Sequence, residues 1–229
     1  MTHELADIAK GGVLRVAINT GNRALVQTDG DDLLGVSPEL ARRLAASLGA
    51  TLKPVVYSGA GKVFADAEND VWDVGFLAID ATRAQKVSFT RPYHVIEATF
   101  AVRAASPLQD VTDVDRAGVS VLTSTGSAYD MYLSANLKHA DLERSRTPSE
   151  SFVEFQEGRG DVVAGVRASL MRHFGDDPGF RILPGVLTRV SQAMVLPGCD
   201  NAKIAALDAF LGAAIDDGFV ARAIEARAQ

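Results

Sequence analysis

Arg83 is the side chain best placed in this sequence to do chemistry on a small molecule. It follows an apolar run, residues 74–79, inside the segment WDVGFLAIDATRAQKVSFTRPY at 72–93. A guanidinium is a planar fork of donors that takes a carboxylate bidentately, each charge-assisted bond contributing about 1.5–3 kcal/mol. A position just beyond a buried strand is also where open α/β sheets hold their ligands. The pattern alone is met equally well by a surface arginine paired with Asp80. A second candidate is Thr125 with Gly126, in the STGS stretch at 124–127. These residues join the apolar run 119–122 to a helical pattern, so their N–H groups and the Thr125 hydroxyl are expected to point outward at a helix start. Unpaired amides and the helix dipole there suit an anion, although an ordinary capped helix start fits the same residues.

Other chemistries lack their partners. His94, His139 and His173 are dispersed and mark no nucleophile, base and orienter. Cys199 is the single cysteine, so no intrachain disulfide is possible, and no group of Cys and His has metal-ligand spacing. No metal and no cofactor is expected.

The elements that must position these residues alternate in the rhythm of an α/β protein. Residues 12–19 (GVLRVAIN) read as a buried strand. Ser37 before Pro38 reads as a helix N-cap with proline at the first position, and Leu40, Leu44 and Leu48 follow at four-residue spacing until Gly49. Strands are expected at 51–57 and 74–79, the latter apolar on both faces and so covered by helices on both sides, with a short helix at 62–68 between them. Further strands are expected at 99–102, 119–122, 161–166, 180–183 and 191–196. Ser127 with Asp130, and Thr147 with Glu150, resemble capping boxes. A long amphipathic helix carrying Ile204, Leu207, Leu211 and Ile215 closes the chain, with a break at Gly218.

With 229 residues, 47% of them hydrophobic and 23% charged, the chain can bury one large core or two modest ones, as a soluble globular protein does. A net charge of -6 with Lys and Arg scattered among Asp and Glu gives no basic stripe, which excludes nucleic acid as an expected partner. No apolar run approaches the roughly 18 residues that a bilayer span needs. The start MTHELADIAKGG lacks the basic-then-apolar layout of a secretory signal. A periplasmic location is expected if a leader has been removed, and a cytoplasmic one if Met1 is the native start.

Taken in order, GVLRVAIN, the Gly-x-x-x-Glu-Leu-Ala run at 35–41, the 72–93 segment, STGS, the Gly-Arg-Gly-Asp-Val-Val run at 158–163 and the final helix resemble the family 3 extracellular solute-binding proteins. These are the polar amino-acid receptors of ABC importers. The resemblance implies a type II periplasmic-binding-protein fold: two α/β lobes, each a mixed sheet flanked by helices, joined by two crossing strands and closing over a ligand. It divides the chain into residues 1–95 plus 193–229 and residues 96–192. It gives Arg83 and the Thr125-Gly126 loop the two halves of a carboxylate clamp, and Asn19 a contact to the ligand's side chain, where a plain turn residue also fits. It implies a small carboxylate ligand, an ABC permease as partner, and a monomer.

Departures from the family pattern bear on the cargo. Ala78 stands where amino-acid receptors carry a Ser or Thr donor. Val166 aligns with the acid that meets the ligand's ammonium, and a buried ammonium without a counter-charge is penalised by several kcal/mol. An ordinary α-amino acid is therefore not the expected ligand. The stacking aromatic aligns near Ala60. Lys62 could hold a second anionic group or be a solvated lysine at a helix start. Glu97 falls in the first crossing strand, near Tyr93 and Gln192, where it could meet a ligand cation, act as a general base or make a structural hydrogen bond. Passive capture for an importer is the leading expectation. A cyclohexadienyl-dehydratase-like lyase using Glu97 is the alternative from another class, and a cytoplasmic sensor or scavenger is the third.

Overall fold

The computed structural model describes residues 3–226; positions 1–2 and 227–229 of the expected first lobe lie outside the described residues. In chain order the elements are α1 His3–Ala6, β1 Val13–Asn19, β2 Gln27–Asp29, β3 Asp32–Leu34, α2 Val36–Leu48, β4 Thr51–Tyr57, α3 Ala60–Ala65, β5 Gly75–Ala78, a 3-10 turn Arg83–Gln85 and β6 Val87–Arg103. They continue with β7 Ser120–Ser124, α4 Ala128–Asn136, β8 Asp141–Ser145, α5 Pro148–Gln156, β9 Val162–Val166, α6 Arg167–Phe174, β10 Phe180–Ile182, β11 Thr188–Pro197, α7 Asn201–Asp216 and α8 Phe219–Glu225. The chain forms two compact units. Unit 1 takes the residues up to Thr20, Leu25–Val95 and the residues from Ser191 onward, and unit 2 takes Gly21–Ala24 with Ile96–Val190.

In unit 1, β1 and β4 pair in parallel from Val13↔Thr51 to Asn19↔Tyr57. A parallel bridge, Val16↔Val74, ties β1 to the approach of β5, and β5 runs antiparallel to β11 with Ala78 opposite Gln192. All four β5 residues are buried, as a strand covered on both faces requires. Leu40 and Leu44 of α2 are fully buried, each such side chain contributing about 1.5–3 kcal/mol. Trp72, Val63, Leu77 and Val195 form the adjoining core.

The start of α2 differs from the sequence reading. Its N-cap is Gly35, at φ 109, while Ser37 lies inside the first turn, buried, with its Oγ 3.0 Å from Tyr93 Oη. Glycine is required at 35 because a Cβ there would collide with the Leu25 carbonyl, and because that φ is one L side chains rarely adopt. Gly49 ends the helix in the left-handed conformation, as expected.

In unit 2, β7 pairs in parallel with both β8 and β9. The second half of β6 runs antiparallel to β9, from Ala98↔Val166 to Val102↔Val162, and to β10. Phe152, Phe155, Leu122, Leu170 and Phe174 form the core, with Arg103 lying 4.5 Å over the Phe155 ring. The strand expected at 99–102 is the far end of the much longer β6. Its near half carries Arg91 and Pro92, which break the apolar pattern. Arg91 is held there by Asp208, through the backbone N–H at 2.6 Å and an ion pair at 2.7 Å. The helix expected at 62–68 starts and ends earlier, at Ala60–Ala65. The β2–β3 hairpin, β8 and α6 were not anticipated.

Candidate functional site

Parallel strands deliver their C-terminal ends to one edge of a sheet, and the register decides which candidates share that edge. In unit 1, Asn19 ends β1 opposite Tyr57, the last residue of β4. The chain leaving β4 reaches Lys62 in the first turn of α3, and the chain leaving β5 reaches Arg83. Asn19, Lys62, Ala78 and Arg83 therefore belong to one carboxyl edge, the region where open α/β sheets bind ligands.

Arg83 is not the surface arginine that its periodicity also allowed. It is 1% exposed, and its Nη1 donates to the Ala78 carbonyl at 3.1 Å. Asp80 uses one carboxylate oxygen to accept the backbone N–H groups of Thr82, at 2.7 Å, and Arg83, at 3.1 Å. That capping holds the turn from which the guanidinium projects. Burial pushes the Arg83 pKa down to about 10, outweighing the opposing pull of the Asp80 charge. Ala78 offers a buried methyl and its carbonyl, and no side-chain donor. Asn19 is half-buried. Lys62 is exposed, with its Nζ donating to Ser58 Oγ at 2.8 Å. Beside this edge, the Phe76 and Tyr93 rings meet edge to face, with centroids 6.0 Å apart. Burial raises the Tyr93 pKa, and the Ser37 hydroxyl opposes that rise.

The carboxyl edge of unit 2 collects Thr125 and Gly126 after β7 and Arg167 after β9, with Val166 as the last β9 residue. Because Ala98 pairs with Val166, Glu97 is brought to the same edge from β6. The Thr125-Gly126 loop corrects the sequence expectation of outward amides. Thr125 N–H and Thr125 Oγ1 both donate to the Ser145 carbonyl, each at 2.9 Å. Gly126 N–H donates to Asp130 Oδ2 at 2.9 Å. Asp130 is buried and also accepts from Arg144 Nε at 2.9 Å. Ser127 caps α4 by accepting the Asp130 N–H. The return bond of the expected capping box goes to Gly126 rather than to Ser127, because the Asp130 carboxylate reaches one residue further back.

Glu97 is engaged at both oxygens. Oε2 accepts from Arg167 Nε at 3.4 Å and Oε1 from Arg189 Nη2 at 3.3 Å. Arg167 also donates through Nη2 to the Gly185 carbonyl. In the structure Glu97 thus pairs with two arginines of unit 2. Arg167 and Arg189 were missed by sequence reasoning, yet Arg167 follows the fully buried β9 much as Arg83 follows β5. The rule that selected Arg83 would have selected it too.

Elsewhere, unit 1 carries a groove of about 540 Å³ lined in part by Lys10, Asp70, Asp73, Lys86 and Asp200. It contains none of the residues chosen from the sequence. Its charges are cross-linked, with Arg15 reaching Asp70 at 2.7 Å and Asp73 at 2.6 Å. Among the described residues no group of three or more His, Cys, Asp or Glu could hold a metal ion, and no helix is long and apolar enough to cross a membrane. His94 on β6, His139 before β8 and His173 on α6 occupy separate elements.

The family model for bacterial extracellular solute-binding proteins, family 3, matches residues 14–226. The chain belongs to that family. No curated protein sequence matches it. Solved structures share the fold of this solute-binding protein along nearly the whole chain. A mutant of ArgBP from T. maritima superposes with a TM-score of 0.83 at 22% identity, covering 97% of each chain. An amino acid ABC transporter substrate-binding protein from Streptococcus pneumoniae Canada MDR_19A, bound to L-arginine, gives 0.83 at 18% identity, covering 99% of this chain and 98% of that one. The ancestral amino acid-binding protein AncCDT-1, described as a precursor of cyclohexadienyl dehydratase, gives 0.81 at 20% identity, covering 96% and 97%. The fold of this family member is the type II periplasmic-binding-protein fold, as the ordered motifs implied.

Proposed function

We propose that this solute-binding protein captures a small carboxylate-bearing metabolite outside the cytoplasm, by closure of its two lobes, and delivers it to an ABC permease, working as a monomer. The observation that carries the ligand chemistry is Arg83, a guanidinium almost fully withdrawn from water at the carboxyl edge of unit 1. A carboxylate is a ligand group whose two oxygens match such a fork. The L-arginine of the Streptococcus structure and the amino-acid binding ascribed to the ancestral protein support a solute of amino-acid size. Ala78 and Val166 argue that the solute is not an ordinary α-amino acid, since neither supplies the polar group that would complete such a pocket. Thr125 is assigned an accepting contact through its hydroxyl oxygen, because its donors are already used.

Catalysis is not part of this proposal. The one carboxylate offered as a general base, Glu97, has both oxygens held by arginines. Incubation with prephenate should leave it unchanged, and its turnover, abolished by Glu97→Gln, would reverse this reading. The proposal is tested by thermal-shift screening of amino acids, keto acids, diacids and aromatic acids, each beside its carboxamide. A ligand at 100 times its Kd stabilises a folded protein by about 2.7 kcal/mol. Carboxylates should raise the melting temperature where their amides do not. Equal stabilisation by acid and amide would contradict it.

A further inference from the structure

The carboxyl edge of unit 2 carries a positive charge where a receptor for an ammonium would carry a negative one. Two guanidinium groups, Arg167 and Arg189, share the single carboxylate of Glu97. Val166, the last residue of β9, is apolar and buried. Arg146, which follows β8 at the same edge, is matched by Glu150 at 3.0 Å, so it leaves the balance unchanged. The Asp110 carboxylate near Gly185 caps Thr112 and is not paired with either arginine, so by ion pairs one guanidinium charge beyond that of Glu97 stands beside the end of β9.

The ion pairs of Glu97 are also loose. At 3.3 and 3.4 Å they exceed the 2.7–2.9 Å of strong charge-assisted bonds. The Arg189 side chain is 70% exposed and that of Arg167 33%. A guanidinium has five donor hydrogens, so both arginines can take a second acceptor without releasing Glu97. An ammonium brought to this edge would meet two cations and a carboxylate already in use, whereas an anionic group would meet two donors.

We infer that Arg167 and Arg189 receive a second anionic group of the solute, so that the ligand class is a small diacid and not an amino acid. This rests on the reading of the protein as a carboxylate receptor. It adds that the two ends of the ligand carry the same sign, and that the two arginines set the preference for diacid over monoacid.

Isothermal titration with malonate, succinate, glutarate and 2-oxoglutarate, each against a monoacid of matched chain, and with L-arginine and L-glutamate, tests the inference. The wild-type protein should bind at least one diacid more tightly than its monoacid and than either amino acid. Arg167→Gln with Arg189→Gln should weaken that diacid about tenfold or more, the scale of a lost charge-assisted hydrogen bond. The matched monoacid should change by less than about threefold, the scale of an exposed ion pair. Arg189→Gln alone, at an exposed position that folding tolerates, should shift the ratio in the same direction. An unchanged ratio in both variants, or an amino acid that binds more tightly than every diacid, would overturn the inference. Either result leaves the Arg83 assignment standing, since that assignment fails only if Arg83→Ala binds monoacids and diacids as well as the wild type does.

Discussion

Arg83 is both charged and buried, and the two properties oppose each other. Burial has pushed its pKa from 12.5 to about 10, so the folded state holds the proton less tightly than the unfolded chain does. A base with a depressed pKa costs stability at every pH below the folded value, here on the order of 3 kcal/mol, and the cost fades as pH rises from about 10 toward 12.5. Arg83→Met, which keeps the volume and removes the charge, should leave the unliganded melting temperature unchanged or raise it. A fall of many degrees would make Arg83 a structural residue. Histidine gives a second prediction at this scale. Burial lowers the pKa of His94, and that of His173 with a further contribution from Arg23. Protons then bind the unfolded state more readily, so this contribution is complete above the ordinary value of 6.5 and is lost as pH falls through 6.5 toward the folded pKa. His94→Gln with His173→Gln should flatten melting temperature against pH between about pH 7 and pH 5, and an unaltered slope would contradict the assignment.

At the scale of elements, two local devices set the geometry of the edges. Gly35 lets the chain turn from the β2–β3 hairpin into α2 against the Leu25 carbonyl. Gly35→Ala adds a strained φ, costing about 1–3 kcal/mol, as well as the collision, so the melting temperature should drop by about 5–10 °C. Thermal denaturation checks this, and a neutral substitution would mean that the turn is held by something else. Asp130 joins the Gly126 amide to Arg144. Asp130→Ala leaves both donors without that carboxylate and should cost about 1–3 kcal/mol, with Asp130→Asn losing less because an acceptor remains. Equal loss in both variants would point to the charge and not to the hydrogen bond.

Those same elements explain what the sequence could reveal. β5 and β9 are continuous apolar runs, β1 is one interrupted by Arg15, and α2 repeats leucine at four-residue spacing, so their placement was legible. The β2–β3 hairpin was not, because its strands are three residues each and neither contains a buried residue, which leaves little periodicity to read. Nor could the fate of the Thr125 and Gly126 amides be seen. Their acceptors, Ser145 and Asp130, are brought to the loop by β7–β8 pairing and by the first turn of α4, and a donor looks unpaired until its distant acceptor is placed.

For the whole molecule, family membership and the fold follow from the match over residues 14–226, while the choice of cargo rests on the proposed role of Arg83. The carboxylate assignment is tested most directly by isothermal titration of the tightest-binding acid from the screen into wild-type protein and Arg83→Ala, both shown to be folded by their melting transitions. A bidentate guanidinium–carboxylate pair contributes two charge-assisted bonds, so the variant should bind about 100-fold more weakly or worse. Equal affinity in the two proteins would contradict the account.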